Sequence, residues 1–122
     1  MKILVVDDED DIRRIASLSL GPIGGMTVVQ ASSGAEAIRK AVEERPDVIL
    51  LDMMMPEMDG PATFTALRNQ EATASIPVLF LTAKAMKAEI ERLLSMGARA
   101  VLTKPFDPTS LAAQVRSALG QP

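Results

Sequence analysis

The 122-residue sequence has no cysteine and no histidine. Without thiols it can hold no disulfide framework, no cysteine nucleophile and no thiolate zinc site, which is compatible with a reducing compartment. Without imidazoles every Ser-His-Asp or Cys-His arrangement is excluded, as is a phosphohistidine carried by this chain. Tryptophan and tyrosine are absent too, so neither can stack on a flavin ring. Net charge is only −3 and the basic residues form no run, so bulk electrostatics imply no direct nucleic-acid partner. No apolar run approaches the roughly 20 residues that cross a bilayer. The opening Met-Lys and its four aliphatics are too short for a signal-peptide core, and the expectation is a cytoplasmic protein without membrane insertion. No Gly-x-x-x-x-Gly-Lys loop occurs, so ATP is not expected to be a direct phosphoryl donor. Whatever chemistry remains must use carboxylates, hydroxyls or lysines.

What is present is organised around Asp47-Val-Ile-Leu-Leu-Asp52-Met-Met-Met-Pro56. Four uninterrupted aliphatics predict a strand buried on both faces, as in a parallel sheet covered by helices. Asp52 ends that strand, and Pro56, Asp59 and Gly60 supply turn chemistry, so its carboxylate should open onto a loop at the sheet rim. In open α/β sheets that rim is where ligands bind.

The rest of the chain repeats the pattern. Ile3 to Val6 is an apolar run that stops at Asp7-Asp8-Glu9-Asp10-Asp11, and Ile12, Ile15, Ala16 and Leu20 then mark one helix face, ended by Gly21-Pro22. Met26 to Gln30 reads as a second strand. Ser33 with Glu36 forms a capping box for a helix carrying Ala37, Ile38, Ala41 and Val42 and broken at Arg45-Pro46. After the Asp52 strand, Gly60-Pro61 starts a helix that turns Phe64 and Leu67 inward, although threonines interrupt its pattern. Pro77 to Leu81 is a fourth buried run ending on Thr82, followed by a helix marked by Met86, Ile90, Leu93 and Leu94 and closed by Gly97. Arg99 to Thr103 is a fifth strand ending on Lys104-Pro105, and Asp107-Pro108 caps a last helix with Leu111, Val115, Ala118 and Leu119 inward.

Five alternating strands and helices in one domain spanning residues 1–122 predict an α/β fold, with a doubly wound five-stranded parallel sheet and right-handed crossovers. They match the flavodoxin-like (βα)5 order 2-1-3-4-5, in which strands one and three flank the switch point. In that order the carboxylates of Asp7, Asp8 and Asp52 lie within several ångströms of one another. Two like charges at roughly 4 Å cost about 4 kcal/mol at a surface-like dielectric, so three call for a cation. An all-oxygen set with few protein ligands suits Mg²⁺ and a phosphoryl group better than calcium. A carboxylate attacking phosphorus would form an acyl phosphate, with Thr82 able to donate a hydrogen bond and Lys104 an ammonium to it.

With these motifs in place the sequence resembles the receiver domain of two-component response regulators over essentially its whole length. The resemblance is carried by Asp7-Asp8, by Leu50-Leu-Asp52 with Met55-Pro56 and Asp59-Gly60, by Leu81-Thr82-Ala83 and by Lys104-Pro105-Phe106. It implies that Asp52 is the phosphoacceptor, Asp8 a direct metal ligand, Asp7 a ligand through water and the Met54 backbone carbonyl a further ligand. It also implies that Thr82 and Lys104 sense and neutralise the phosphate and that Lys104–Pro105 is cis. The implied partners are a histidine kinase or histidine phosphotransfer protein as donor and a downstream output protein or domain, with a phosphorylation-dependent dimer left open. The surface of the fourth helix, fifth strand and fifth helix is the expected readout.

Two departures from that family pattern matter. Val101 stands where receivers often carry a switching aromatic, which argues against a ring-flip readout. Met54 and Lys84 occupy positions that tune hydrolysis in the family, and neither is a water-positioning group, so a long-lived acyl phosphate is expected. Singly, each acid is more simply a helix cap or solvated charge, Thr82 an N-cap and Lys104 a surface lysine; their joint fall at strand ends is what the bland account leaves unexplained. Met53 to Met55 read instead as packing and loop filler. Aspartate-nucleophile phosphatases need a second carboxylate where this chain has Met54. A flavin carrier would not build its phosphate loop from five acids. A docking module independent of phosphate would have lost an acidic, threonine or lysine position, and none is lost. No output domain is expected within these residues, whether the chain is a stand-alone regulator or relay or a piece of a longer protein.

Overall fold

A computed structural model describes residues 1–83 and 86–121. Its elements run β1 (Lys2–Val6), α1 (Asp10–Leu18), a π turn (Ser19–Ile23), β2 (Thr27–Ala31), α2 (Gly34–Glu44), β3 (Val48–Asp52), α3 (Gly60–Arg68), β4 (Val78–Thr82), α4 (Lys87–Ser95), β5 (Ala100–Thr103) and α5 (Leu111–Ala118). The strands form one parallel sheet in the order β2-β1-β3-β4-β5, the doubly wound order expected.

Strand periodicity divides the core in two. Leu4, Val6, Ile49, Leu51, Val78 and Phe80 face one side, where they meet Ala37 and Ala41 of α2, Phe64 and Leu67 of α3 and Leu93 of α4. Ile3, Val5, Val48, Leu50, Leu79 and Leu81 face the other, against Ala16 of α1 and Leu111, Ala112 and Val115 of α5. Because both faces are covered, β3 and β4 are buried at every residue, which is why they read as unbroken apolar runs. Phe64 and Phe80 lock α3 to the sheet edge-to-face, with ring centroids 5.6 Å apart.

Several local expectations need correction. Gly21-Pro22 does not end the first helix. Proline has no N–H to give, and the chain widens into the π turn and runs through it. The stop comes at Gly25, whose left-handed φ of 76° lets its own N–H and that of Met26 close on the Gly21 and Leu20 carbonyls. Asp107 does not cap the last helix, which starts at Leu111; its carboxylate instead accepts from the hydroxyl and backbone N–H of Thr109, an Asx turn that draws its pKa down. Ile15, Val42, Met86 and Leu94 lie on helix flanks or caps and are exposed rather than inward.

The Ser33 cap holds, with its side chain accepting from Glu36 N–H at 3.1 Å. Glu36, however, reaches back to the N–H of Ser32, one residue further than a simple capping box, and that bond chiefly lowers its pKa. In α3 the threonines that blur the pattern are accommodated by back-bonding. Thr63 and Thr65 hydroxyls donate to the Asp59 and Pro61 carbonyls four residues earlier.

Candidate functional site

Register explains which strand-end residues can meet. Val6 pairs with Leu51, so Asp7 and Asp52 leave β1 and β3 at the same level of the carboxyl edge. Both continue the rows that face α1 and α5, after Val5 and Leu50, and Lys104 continues the corresponding β5 row after Leu102. Three side chains from three strands therefore turn to one side of the rim. Lys104 Nζ donates to Asp7 Oδ2 at 2.9 Å and to Asp52 Oδ1 at 3.0 Å. The Lys104–Pro105 peptide is cis, as the resemblance implied, and the Lys104 N–H donates to the Thr82 carbonyl at 2.7 Å. Thr82 itself is buried at the same edge, on the row that faces α3 and α4, in register with Thr103.

The acidic run after β1 is divided between two tasks. Asp7 is buried, and its Oδ1 accepts from the Glu9 N–H at 2.9 Å. Asp8 is exposed, yet it can bring a carboxylate oxygen within 4.8 Å of oxygens from Asp7 and Asp52. Asp10 and Asp11 lie in the first turn of α1, where the helix dipole favours acids, and pair with Arg13 and Arg14. Arg13 also donates to the Asp7 carbonyl at 2.7 Å and so fastens the acidic loop. Sequence reasoning missed this clamp; the spacing of Asp10 and Arg13 was its only trace.

The electrostatics are those of a pocket short of positive charge. Burial, reinforced by the Asp7 charge, pushes the Asp52 carboxyl up to about 6 against the opposing hydrogen bonds from Lys104 and the Met54 backbone. Burial alone would lower the Lys104 pKa, but its bonds to Asp7 and Asp52 outweigh this and raise it. Three carboxylates against one ammonium leave two negative charges. That surplus, together with an all-oxygen donor set, fits a hard divalent cation such as Mg²⁺.

The loop beyond Asp52 is held tightly. Met53 and Met55 are buried in the core, as filler should be, whereas Met54 is 77% exposed. Glu57 adopts a left-handed φ of 67°, and Met58 N–H bonds to the Pro56 carbonyl at 2.7 Å, a strained γ-turn. Gly60, at the start of α3, gives its N–H to the Met53 carbonyl at 2.9 Å. A Cβ there would lie 2.5 Å from the Asp52 carbonyl and 2.9 Å from Met53 Cα. Both are backbone atoms, so Gly60→Ala is expected to destabilise the chain by about 2–3 kcal/mol, the upper range for overpacking. A urea midpoint unchanged from that of the parent would contradict this. The sequence offered Gly60 as turn chemistry and a helix start, not as a point of close backbone approach.

Val101 packs on the α3 and α4 side of the core, where a switching ring would have stood. Lys84 lies outside the described residues. Among the described residues no helix is long and apolar enough to cross a membrane.

Residues 3–116 match the family described as response regulator receiver domain. The alkaline phosphatase synthesis transcriptional regulatory protein PhoP of Bacillus subtilis is 42% identical, over 97% of this chain and 48% of its own length. The DNA-binding dual master transcriptional regulator RpaA of Synechocystis is 40% identical, over 97% of this chain and 48% of its own. The chain thus spans about half the length of these curated relatives. Among solved structures, the chemotaxis protein CheY4 of Vibrio cholerae superposes with a TM-score of 0.89 at 35% identity, covering 96% of this chain and 97% of that one.

Proposed function

The chain belongs to the response regulator receiver domain family, and on that premise we propose that it is a signalling switch whose phosphoacceptor is Asp52. The observation that carries the reading is the buried Asp7–Lys104–Asp52 ion triad, with Asp8 alongside at the carboxyl edge of the sheet. Asp52 is the nucleophile. One of its oxygens bonds to phosphorus as the bond from phosphorus to the donor breaks, leaving an acyl phosphate. Asp7, Asp8, Asp52 and the Met54 backbone carbonyl would hold Mg²⁺, with Asp7 acting through water. When bound, the ion neutralises charge on the transferring oxygens.

Lys104 holds Asp52 oriented at rest and remains beside the new phosphate as its counter-charge. The Thr82 hydroxyl donates to a phosphate oxygen. Such charge-assisted bonds are worth roughly 1.5–3 kcal/mol each, so two new ones supply about 3–6 kcal/mol towards the roughly 5.5 kcal/mol that carries a two-state equilibrium from mostly off to mostly on; Lys104, already paired with Asp52 at rest, counts for less. The surface of α4, β5 and α5 is the readout, without a ring flip at Val101. The phosphoryl group comes from a histidine kinase or histidine phosphotransfer protein in the cytoplasm. The output is a downstream protein or domain, a role in keeping with half-length matches to transcriptional regulators.

Incubation with Mg²⁺ and acetyl phosphate, followed by intact mass measurement, tests the reading. One phosphoryl adduct is expected on the parent and none on Asp52→Asn. An unmodified parent would leave a receiver-like docking module that works without phosphate.

A further inference from the structure

The described residues hold a second feature at this rim, which shares Thr82 and the Met54 backbone with the phosphoryl-transfer site but whose thioethers that chemistry does not use. Met53, Met54, Thr82, Ala83, Met86 and Glu89 line a groove of about 260 Å³. Its wall is mostly apolar, and its two outer members, Met54 and Met86, are 77% and 66% exposed, the most exposed of the large apolar side chains described. Isolated exposed apolar residues are ordinary. Here the two thioethers share one groove with Thr82, and Met54 also donates its backbone N–H to the Asp52 carboxylate. Met53 and Met55 of the same loop and Met26 before β2 are 6–8% exposed and shielded, while Met58, also in the loop, is half-buried.

We propose that Met54 and Met86 form a peroxide-sensitive modification site at the mouth of the Asp52 pocket, and that their oxidation shortens the life of the acyl phosphate. The lifetime half of this proposal rests on the reading of Asp52 given above. The sulfur lone pair attacks one peroxide oxygen, the O–O bond breaks, an S–O bond forms and the second oxygen leaves as water. Sulfur is oxidised by two electrons and hydrogen peroxide is the electron acceptor. The product is a polar, chiral sulfoxide in place of a flexible apolar side chain. Its oxygen accepts hydrogen bonds from water, so the oxidised groove holds more water beside the phosphorylated carboxylate than the apolar wall of the reduced groove does.

The test uses the full chain with limiting hydrogen peroxide and peptide-level mass mapping. Met54 and Met86 are expected to gain oxygen at least about tenfold faster than Met26, Met53 and Met55. Equal rates across all five would overturn the site. Chain loaded with acetyl phosphate before oxidation is then followed for loss of its adduct, which is expected to be about fivefold faster after peroxide and to slow again when methionine sulfoxide reductases remove the oxygen. The Met54→Leu/Met86→Leu chain should give the same rate with and without peroxide. A loaded parent whose rate ignores oxidation overturns the lifetime half. A parent that never loads overturns the reading of Asp52 and the lifetime half with it, while the oxygen map still decides the modification.

Discussion

Replacing Lys104 by methionine is expected to destabilise the metal-free chain by about 3–5 kcal/mol at pH 7, the cost of removing one partner from a buried ion pair. Methionine keeps most of the side-chain volume but leaves two buried carboxylates without the ammonium that both accept from. For a domain of this size the melting temperature should fall by about 10–20 °C. The loss should be strongly non-additive with Asp52. In the Lys104→Met background, Asp52→Asn should recover most of it, because only one buried charge then lacks a counter-charge. Urea unfolding of the four chains in EDTA measures the coupling. Additive effects would mean that Lys104 and Asp52 do not interact as their 3.0 Å contact implies.

Asp52→Asn on its own should stabilise the metal-free chain at neutral pH. The folded carboxyl sits at about 6, above its ordinary 3.8. Between those values the folded state binds more protons than the unfolded state, so stability is fully present below about 4 and is lost as pH rises through about 6. The difference between the folded and ordinary values corresponds to about 3 kcal/mol. The asparagine should gain somewhat less, about 2 kcal/mol, since Lys104 exchanges a carboxylate acceptor for a neutral amide oxygen. Unfolding from pH 4.5 to 7.5 in EDTA should therefore show a declining slope for the parent and a flatter one for the variant. A variant less stable than the parent at pH 7 would mean that the pair's attraction outweighs the burial of the carboxylate.

Much of this arrangement is legible before any coordinates, because strand ends are marked by the physics of burial. An aliphatic run buried on both faces cannot continue through a carboxylate, so Asp7 and Asp52 announce the rim, and Lys104 follows its strand in the same way. Parity does the rest: side chains alternate across a strand, and Val5–Asp7, Leu50–Asp52 and Leu102–Lys104 keep one phase. Less legible were features that depend on which chains approach closely. Gly60 reads as a helix start, and only the packing of α3 under β3 reveals that a methyl group there would strike the Asp52 carbonyl. Pro22 reads as a terminator because proline normally is one, and the π turn that carries the chain past it leaves no mark in the apolar pattern. The helix faces erred where a short helix has fewer buried positions than its apolar residues suggest, as with Leu93 buried and Leu94 exposed in α4.

The phosphoacceptor can be located directly by reducing the acetyl-phosphate-treated chain with borohydride, which turns an aspartyl phosphate into homoserine, and sequencing the peptides by mass spectrometry. Homoserine is expected at residue 52 alone, in Mg²⁺ but not in EDTA. Homoserine at Asp7 or Asp8, or none anywhere after treatment in Mg²⁺, would contradict the account.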